Sequence, residues 1–122
     1  MKLRSLLIVV LSAVALAALA VSSAVGKGTL TVDPDPVARG STFTLVACGF
    51  PVPTSVSFEV NGPRKSGIHY FTAGEPLTDE SGCVSDEWTA WWGVAGDYQI
   101  TSWYRDSKGS THKVAVVKFT VT

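Results

Sequence analysis

Few residues in this 122-residue chain could do covalent or metal chemistry. The two histidines, His69 and His112, lie far apart among strand-type residues. Zinc needs three or four ligands at workable spacing. Two lone histidines and two cysteines that can pair with each other do not supply them. No Ser or Cys has an activating context. Carboxylates do come in pairs: Asp33 with Asp35, Asp79 with Glu80, and Asp86 with Glu87. Glycosidases place such a pair across a cleft. Neighbours on a strand face opposite sides, which separates Asp86 from Glu87. The loop pairs read as turn formers. Calcium at Asp33 and Asp35 would suit oxygen-rich loops, but no calcium-loop spacing accompanies them. The expectation is a chain with no catalytic residue, no metal and no cofactor, and hence not an enzyme.

The aromatic residues are the sharper feature. Four Trp stand at 88, 91, 92 and 103. They imply either an aromatic core or an aromatic contact surface. Placing them requires the elements that carry them.

Those elements begin after a leader. Lys2 and Arg4 precede an uncharged apolar run from Leu6 to Val21, and small residues Ser22, Ser23 and Ala24 follow. This is the layout of a secretory signal peptide. Ser22 and Ala24 fit the small-residue pocket of a signal peptidase, so the cut is expected after Ala24, with Ala18 and Ala20 as a second choice. Residues 1–24 are then the signal peptide and residues 25–122 one exported domain. The other reading keeps the segment Leu6 to Val25, 20 residues and about enough to span a bilayer, as a membrane anchor or as a pilin-like helix in a filament. Either way the domain lies outside, secreted or on the cell envelope. It carries eight Lys and Arg against ten Asp and Glu. Without a basic patch, nucleic acid is not an expected partner, and membrane is one only if the apolar run is retained. Cys48 and Cys83 are an even pair in an oxidising compartment, where a disulfide is expected.

Short runs rich in Val, Thr, Phe and Tyr alternate with Gly, Pro, Asp and Asn clusters, which predicts an all-β sandwich or barrel. The runs are Thr29 to Asp33, Thr42 to Cys48, Ser55 to Val60, Gly67 to Thr72, Cys83 to about Trp92, Asp97 to Tyr104 and His112 to Val121. Alternation turns Phe43, Leu45, Ala47, Val56, Phe58, Val60, Tyr98, Ile100, Ala115, Val117, Phe119 and Val121 inward. Trp88 is then core as well. Trp91 and Trp92 point to opposite faces if their strand continues. Trp103 stands outward, with Val114 and Val116 of the last strand pointing the same way. That outward group is a candidate contact patch. The competing reading covers Trp103 with the stems of Arg105 or Lys118.

Gly96-Asp97-Tyr98 resembles the tyrosine corner of immunoglobulin-like domains, in which a Tyr hydroxyl ties back to nearby backbone. Gly49-Phe50-Pro51 and Asp79-Glu80-Ser81-Gly82 are similar to corners in Ig-like modules of bacterial secreted and surface proteins. The resemblance implies a seven-stranded, two-sheet Ig-like β-sandwich. In that topology Cys48 ends one strand where Cys83 begins its antiparallel neighbour, so the disulfide would lie within one sheet, on its outer face. The same register turns Asp86 inward, a conflict that a bulge or a shorter strand would remove. Fold alone does not name a function. The expected function is a non-catalytic module for protein contact or self-association, in adhesion or assembly. The alternatives are a carbohydrate-binding module using Trp91 or Trp92 with Trp103, and a filament subunit.

Overall fold

The structure, a computed structural model, describes residues 23–24, 28–51, 54–72 and 77–122. The apolar leader lies outside them. The chain is all-β, with strands β1 (Ser23–Ala24), β2 (Thr29–Asp33), β3 (Thr42–Cys48), β4 (Val56–Asn61), β5 (His69–Phe71), β6 (Val84–Thr89), β7 (Gly96–Arg105) and β8 (Thr111–Val121). One sheet has the order β1-β8-β7-β4-β5 and the other β2-β3-β6. Every strand pairing within them is antiparallel. Among the described residues, seven strands follow the short β1, the number that the turn spacing predicts for the domain. The two-residue β1 pairs Ser23 with Val116 and Ala24 with Ala115. A cut after Ala24 would remove β1 and uncover that part of the β8 edge, whereas a cut after Ala20 would keep it.

Alternation in sequence becomes burial in space. Leu30 and Val32 of β2, Phe43, Leu45 and Ala47 of β3, and Val56, Phe58 and Val60 of β4 are all buried. So are Tyr98 and Ile100 of β7 and Ala115, Val117, Phe119 and Val121 of β8. Apolar faces of both sheets therefore meet in one core, whose burial is the main favourable term in folding. Aromatic rings bridge the two sheets: Phe43 lies 5.5 Å from Phe119, and Phe58 lies 5.5 Å from Trp88 in a T-shaped contact. After β2 the Asp33-Pro34-Asp35-Pro36 run removes ladder donors. The chain then crosses to the other sheet, where Val37 bridges Val121 in parallel and donates its N–H to the Thr120 carbonyl.

Cys48 and Cys83 form a disulfide. Ala47 pairs with Val84 across β3 and β6, so the cysteines are the next pair along the same sheet. Ala47 and Val84 are buried and both cysteines half-buried, as expected for the outer phase. The corner before Cys83 is held by Asp79. Its Oδ1 accepts from the Ser81 N–H, the Ser81 hydroxyl and the Cys83 N–H. Gly82 sits there at φ +80°, and a methyl group on it would collide with the Phe50 carbonyl. Only glycine fits both demands.

Two expectations for the Cys83-to-Trp92 run change. The strand ends at Thr89, and Trp91 and Trp92 follow it outside any strand, Trp92 at a bend. Hydrogen bonds between Ala90 and the Ser41–Gly40 segment fix that exit. No bulge accompanies Asp86, since β3 and β6 pair without a break from Thr42–Thr89 to Ala47–Val84. Asp86 shares the phase of Trp88, yet it is exposed because β6 is an edge strand. Its carboxylate accepts the Trp88 indole N–H at 3.0 Å and the Glu87 N–H. An edge position thus resolves the conflict assigned to a bulge.

Closing a loop of 35 residues by a disulfide contributes about 3–4 kcal/mol through the unfolded chain. The double substitution Cys48→Ala, Cys83→Ala is expected to lower unfolding free energy by about that much in urea titration. An unchanged midpoint would contradict this.

Candidate functional site

The outer face of the larger sheet begins with β4. Val56, Phe58 and Val60 take its inward positions, so Ser57, Glu59 and Asn61 face out. On β7, buried Tyr98, Ile100 and Ser102 leave Thr101 and Trp103 on the outer phase. Ser57 pairs with Trp103 and Glu59 with Thr101, so Glu59 is diagonal to Trp103. The indole N–H of Trp103 donates to Glu59 Oε1 at 3.2 Å. Glu59 Oε2 lies 2.9 Å from Nε2 of His69, which comes from β5. The His69 ring meets Phe71 edge-on at 5.9 Å.

The far side of Trp103 depends on a β-bulge. From Gly96 to Ser102 the β7–β8 register is unbroken, with Ser102 opposite Ala115. The next pair is Trp103 with Lys113, so Val114 is the extra residue. Val114 is buried beside Gly28, where any side chain would overlap it. The bulge shifts the phase of the preceding residues by one. Lys113 Nζ comes to lie 5.3 Å above the Trp103 ring. His112 stacks on Tyr104 at 4.8 Å and 18°. Its Nε2 is 2.8 Å from Asp106 Oδ2. Asp106 Oδ1 accepts the Lys108 and Ser110 N–H groups and so closes the β7–β8 turn.

Beside Trp103 lies a groove of about 1010 Å³, which Asp106 lines and Glu59, His69 and His112 do not. Trp103, Tyr104, Phe71 and Leu77 supply its apolar lining, and Arg105 and Asp106 its charges. Phe71 is 56% exposed and Leu77 65%, a pairing of large apolar residues that single exposed side chains do not explain. A Trp–carboxylate hydrogen bond is worth about 1.5–3 kcal/mol, and an exposed cation–π contact about 0.5–1 kcal/mol. Glu59 therefore sets the orientation of Trp103, and Lys113 covers one ring face.

Burial pushes the Glu59 carboxyl up, but hydrogen bonds from His69, Trp103 and Asn61 outweigh it and hold the group below its ordinary value of 4.5. The His112 contact, followed by the Ser110 and Lys108 N–H groups, holds Asp106 below its ordinary value as well. Both sites thus favour the ionised carboxylate.

The proposed contact residues separate in space. Trp103 is half-buried and on the outer face. Val116 is half-buried on that face, paired with Thr101 and Ser23. Val114, expected beside Trp103, is buried by the bulge. Trp92 belongs to the core, 4.9 Å from Tyr98, with its N–H on the Tyr70 hydroxyl. Trp91 is 68% exposed and stacks on Tyr70 at 6.2 Å. It sits by the β5 end where Tyr70 pairs with Val60, whereas Trp103 pairs with Ser57 at the opposite end of β4. Tyr98 donates its hydroxyl to the Val94 carbonyl at 2.6 Å, the tie expected of the corner. Gly96 has φ +141° and a methyl there would press on Pro63. Asp35 accepts the Thr120 N–H. Among the described residues no group of three or more His, Cys, Asp or Glu is placed to hold a metal. Alternation on β4 could have found Glu59. Phe71 and Leu77 flank a polar stretch with no pattern, and nothing in the sequence marked them.

Trp92→Ala should cost about 3–5 kcal/mol in urea unfolding, as large core truncations do. Trp103→Ala should cost no more than about 2 kcal/mol, since it loses one charged hydrogen bond and half-buried surface. Equal losses would put Trp103 in the core. The Glu59 contribution is present above the ordinary value of 4.5 and is lost as pH falls through the lowered folded value. Stability measured from pH 6 to about pH 3 should therefore fall more steeply for the wild type than for Glu59→Gln. Parallel curves would contradict the assignment.

No protein-family profile and no curated protein sequence matches the chain. Its fold is similar to the crystal structure of the PmoD soluble domain from Methylocystis sp. ATCC 49242 (Rockwell), with a TM-score of 0.52 and 11% identity. The match covers 84% of this chain and 98% of that one. At that identity the likeness is one of fold.

Proposed function

We propose that the chain is an exported, non-catalytic Ig-like module that contacts another protein through the groove around Trp103. The observation that carries this reading is the groove itself: exposed Phe71 and Leu77 flank an indole held in place by Glu59. An apolar centre with a polar rim is the anatomy of a contact surface. The basic start and apolar run of the leader support export. The disulfide is compatible with an oxidising compartment outside the cytosol. The Tyr98 hydroxyl bond supports the Ig-like reading.

Sugar stacking would favour coplanar exposed indoles. Trp103 has one face under Lys113, and Trp91 lies elsewhere. The exposed Trp91 stacked on Tyr70 does offer one flat platform, so a carbohydrate-binding role resting on Trp91 is the second reading.

A photo-crosslinking amino acid in place of Phe71 or Leu77, in cells exporting the full chain, tests the first. Protease-sensitive adducts are expected from both positions and not from Thr44, exposed on the other sheet. Adducts equally frequent at Thr44, or none at the groove, would overturn it. Retention on cell-envelope polysaccharide that Trp91→Ala abolishes would favour the second reading.

A further inference from the structure

Resting on the contact reading above, the charges around the groove point to a narrower partner. We infer that the groove takes an extended peptide segment in which apolar side chains are joined to a nearby carboxylate, with Arg105 and Lys113 receiving the acid.

Charge complementarity beside an apolar lining selects this partner. Among the described residues, four charged side chains other than histidine lie around Trp103 and Tyr104: Glu59, Asp106, Arg105 and Lys113. Both carboxylates are already committed within the domain. Glu59 accepts from Trp103 and faces His69. Asp106 faces His112 and accepts two backbone N–H groups. The cations are not so committed. Among the described residues the only ion pairs are the two histidine–carboxylate contacts, and the Arg105 side chain has no hydrogen-bond partner. Its guanidinium is exposed at the end of β7, where it lines the groove beside Tyr104 and Thr111. Lys113 has its Nζ over the Trp103 ring and no carboxylate within ion-pair distance.

Among the described residues, the face around Trp103 thus offers two cations without a carboxylate partner, Arg105 in the groove and Lys113 beside it, and no free anion. A guanidinium presents a fork of donors that matches a carboxylate bidentately. Phe71 and Leu77 offer the apolar floor such a segment needs for affinity. A basic segment would meet Arg105 and Lys113 as like charges, which is costly at an interface. The exposed face therefore selects by repulsion as well as by attraction.

The test is selection of a random 12-residue peptide library, displayed on phage, against the full chain. Recovered sequences should place Asp or Glu within a few residues of Leu, Phe or Trp. A synthetic copy of the leading peptide should lose about tenfold or more in affinity on Arg105→Glu, with a further loss on Lys113→Glu. Its affinity should fall as salt rises from 50 to 500 mM. Arg105→Ala, which removes the cation without adding an anion, should give a smaller loss of the same sign. Circular dichroism confirms that each variant is folded.

A basic or uncharged consensus, or acidic peptides indifferent to both charge reversals, overturns the inference. If such peptides are still lost on Phe71→Ser with Leu77→Ser, the contact reading stands and only its acidic chemistry falls. If they are indifferent to these substitutions too, or if nothing is recovered, both fall.

Discussion

A single extra residue in β8 governs the face on which the candidate site lies. Val114 has no partner in β7, and the pairs on either side of it differ by one in register. Under unbroken alternation Val114 would stand outward beside Trp103. The bulge sends it inward against Gly28 instead. The three residues before it change phase together, which brings Lys113 over the Trp103 ring and His112 onto Tyr104. Bulges re-aim side chains and strengthen local twist. Here the consequence is a charged cover on an indole where a bare apolar strip would otherwise lie.

The remainder of the fold gives that face a fixed base. The disulfide ties β3 to the start of β6, and the Asp79 corner and Gly82 hold the chain that leads into it. At the other end Tyr98 hangs on the Val94 carbonyl and stacks against Trp92. Trp92 in turn reaches Tyr70 in β5 through its N–H. That chain of contacts links the turn after β6 to the edge strand that carries His69 and Phe71. The groove is therefore positioned from both sheets, although its lining comes from the larger one and the segments beside it.

The strands and their inward residues were legible because period-two alternation is strong where one face is buried, as in Phe43-Leu45-Ala47 and Val117-Phe119-Val121. The disulfide was legible from an even cysteine pair in a chain read as exported, its place within one sheet from the Ig-like resemblance, and its outer phase from alternation. Three things were not. The bulge leaves no mark in the Val-rich stretch 114 to 117, where every residue suits a strand in either phase. The end of β6 at Thr89 follows from bonds to Ser41 and Gly40, which are distant in sequence. The exposure of Asp86 depends on β6 being an edge, a property of sheet order rather than of its own residues. Of the site, Trp103 was visible from its phase. Its partners Glu59, Lys113 and Phe71 come from three other strands, and only the register brings them together.

The character of this face depends on Lys113 rather than Val114 facing Trp103. Nuclear Overhauser contacts from the Trp103 ring protons in solution test this directly. Contacts to the Lys113 side chain are expected, with its methylene protons shifted upfield by the ring current and the shift abolished by Trp103→Leu. Contacts from the Trp103 ring to the Val114 methyl groups, with Lys113 unshifted, would contradict it.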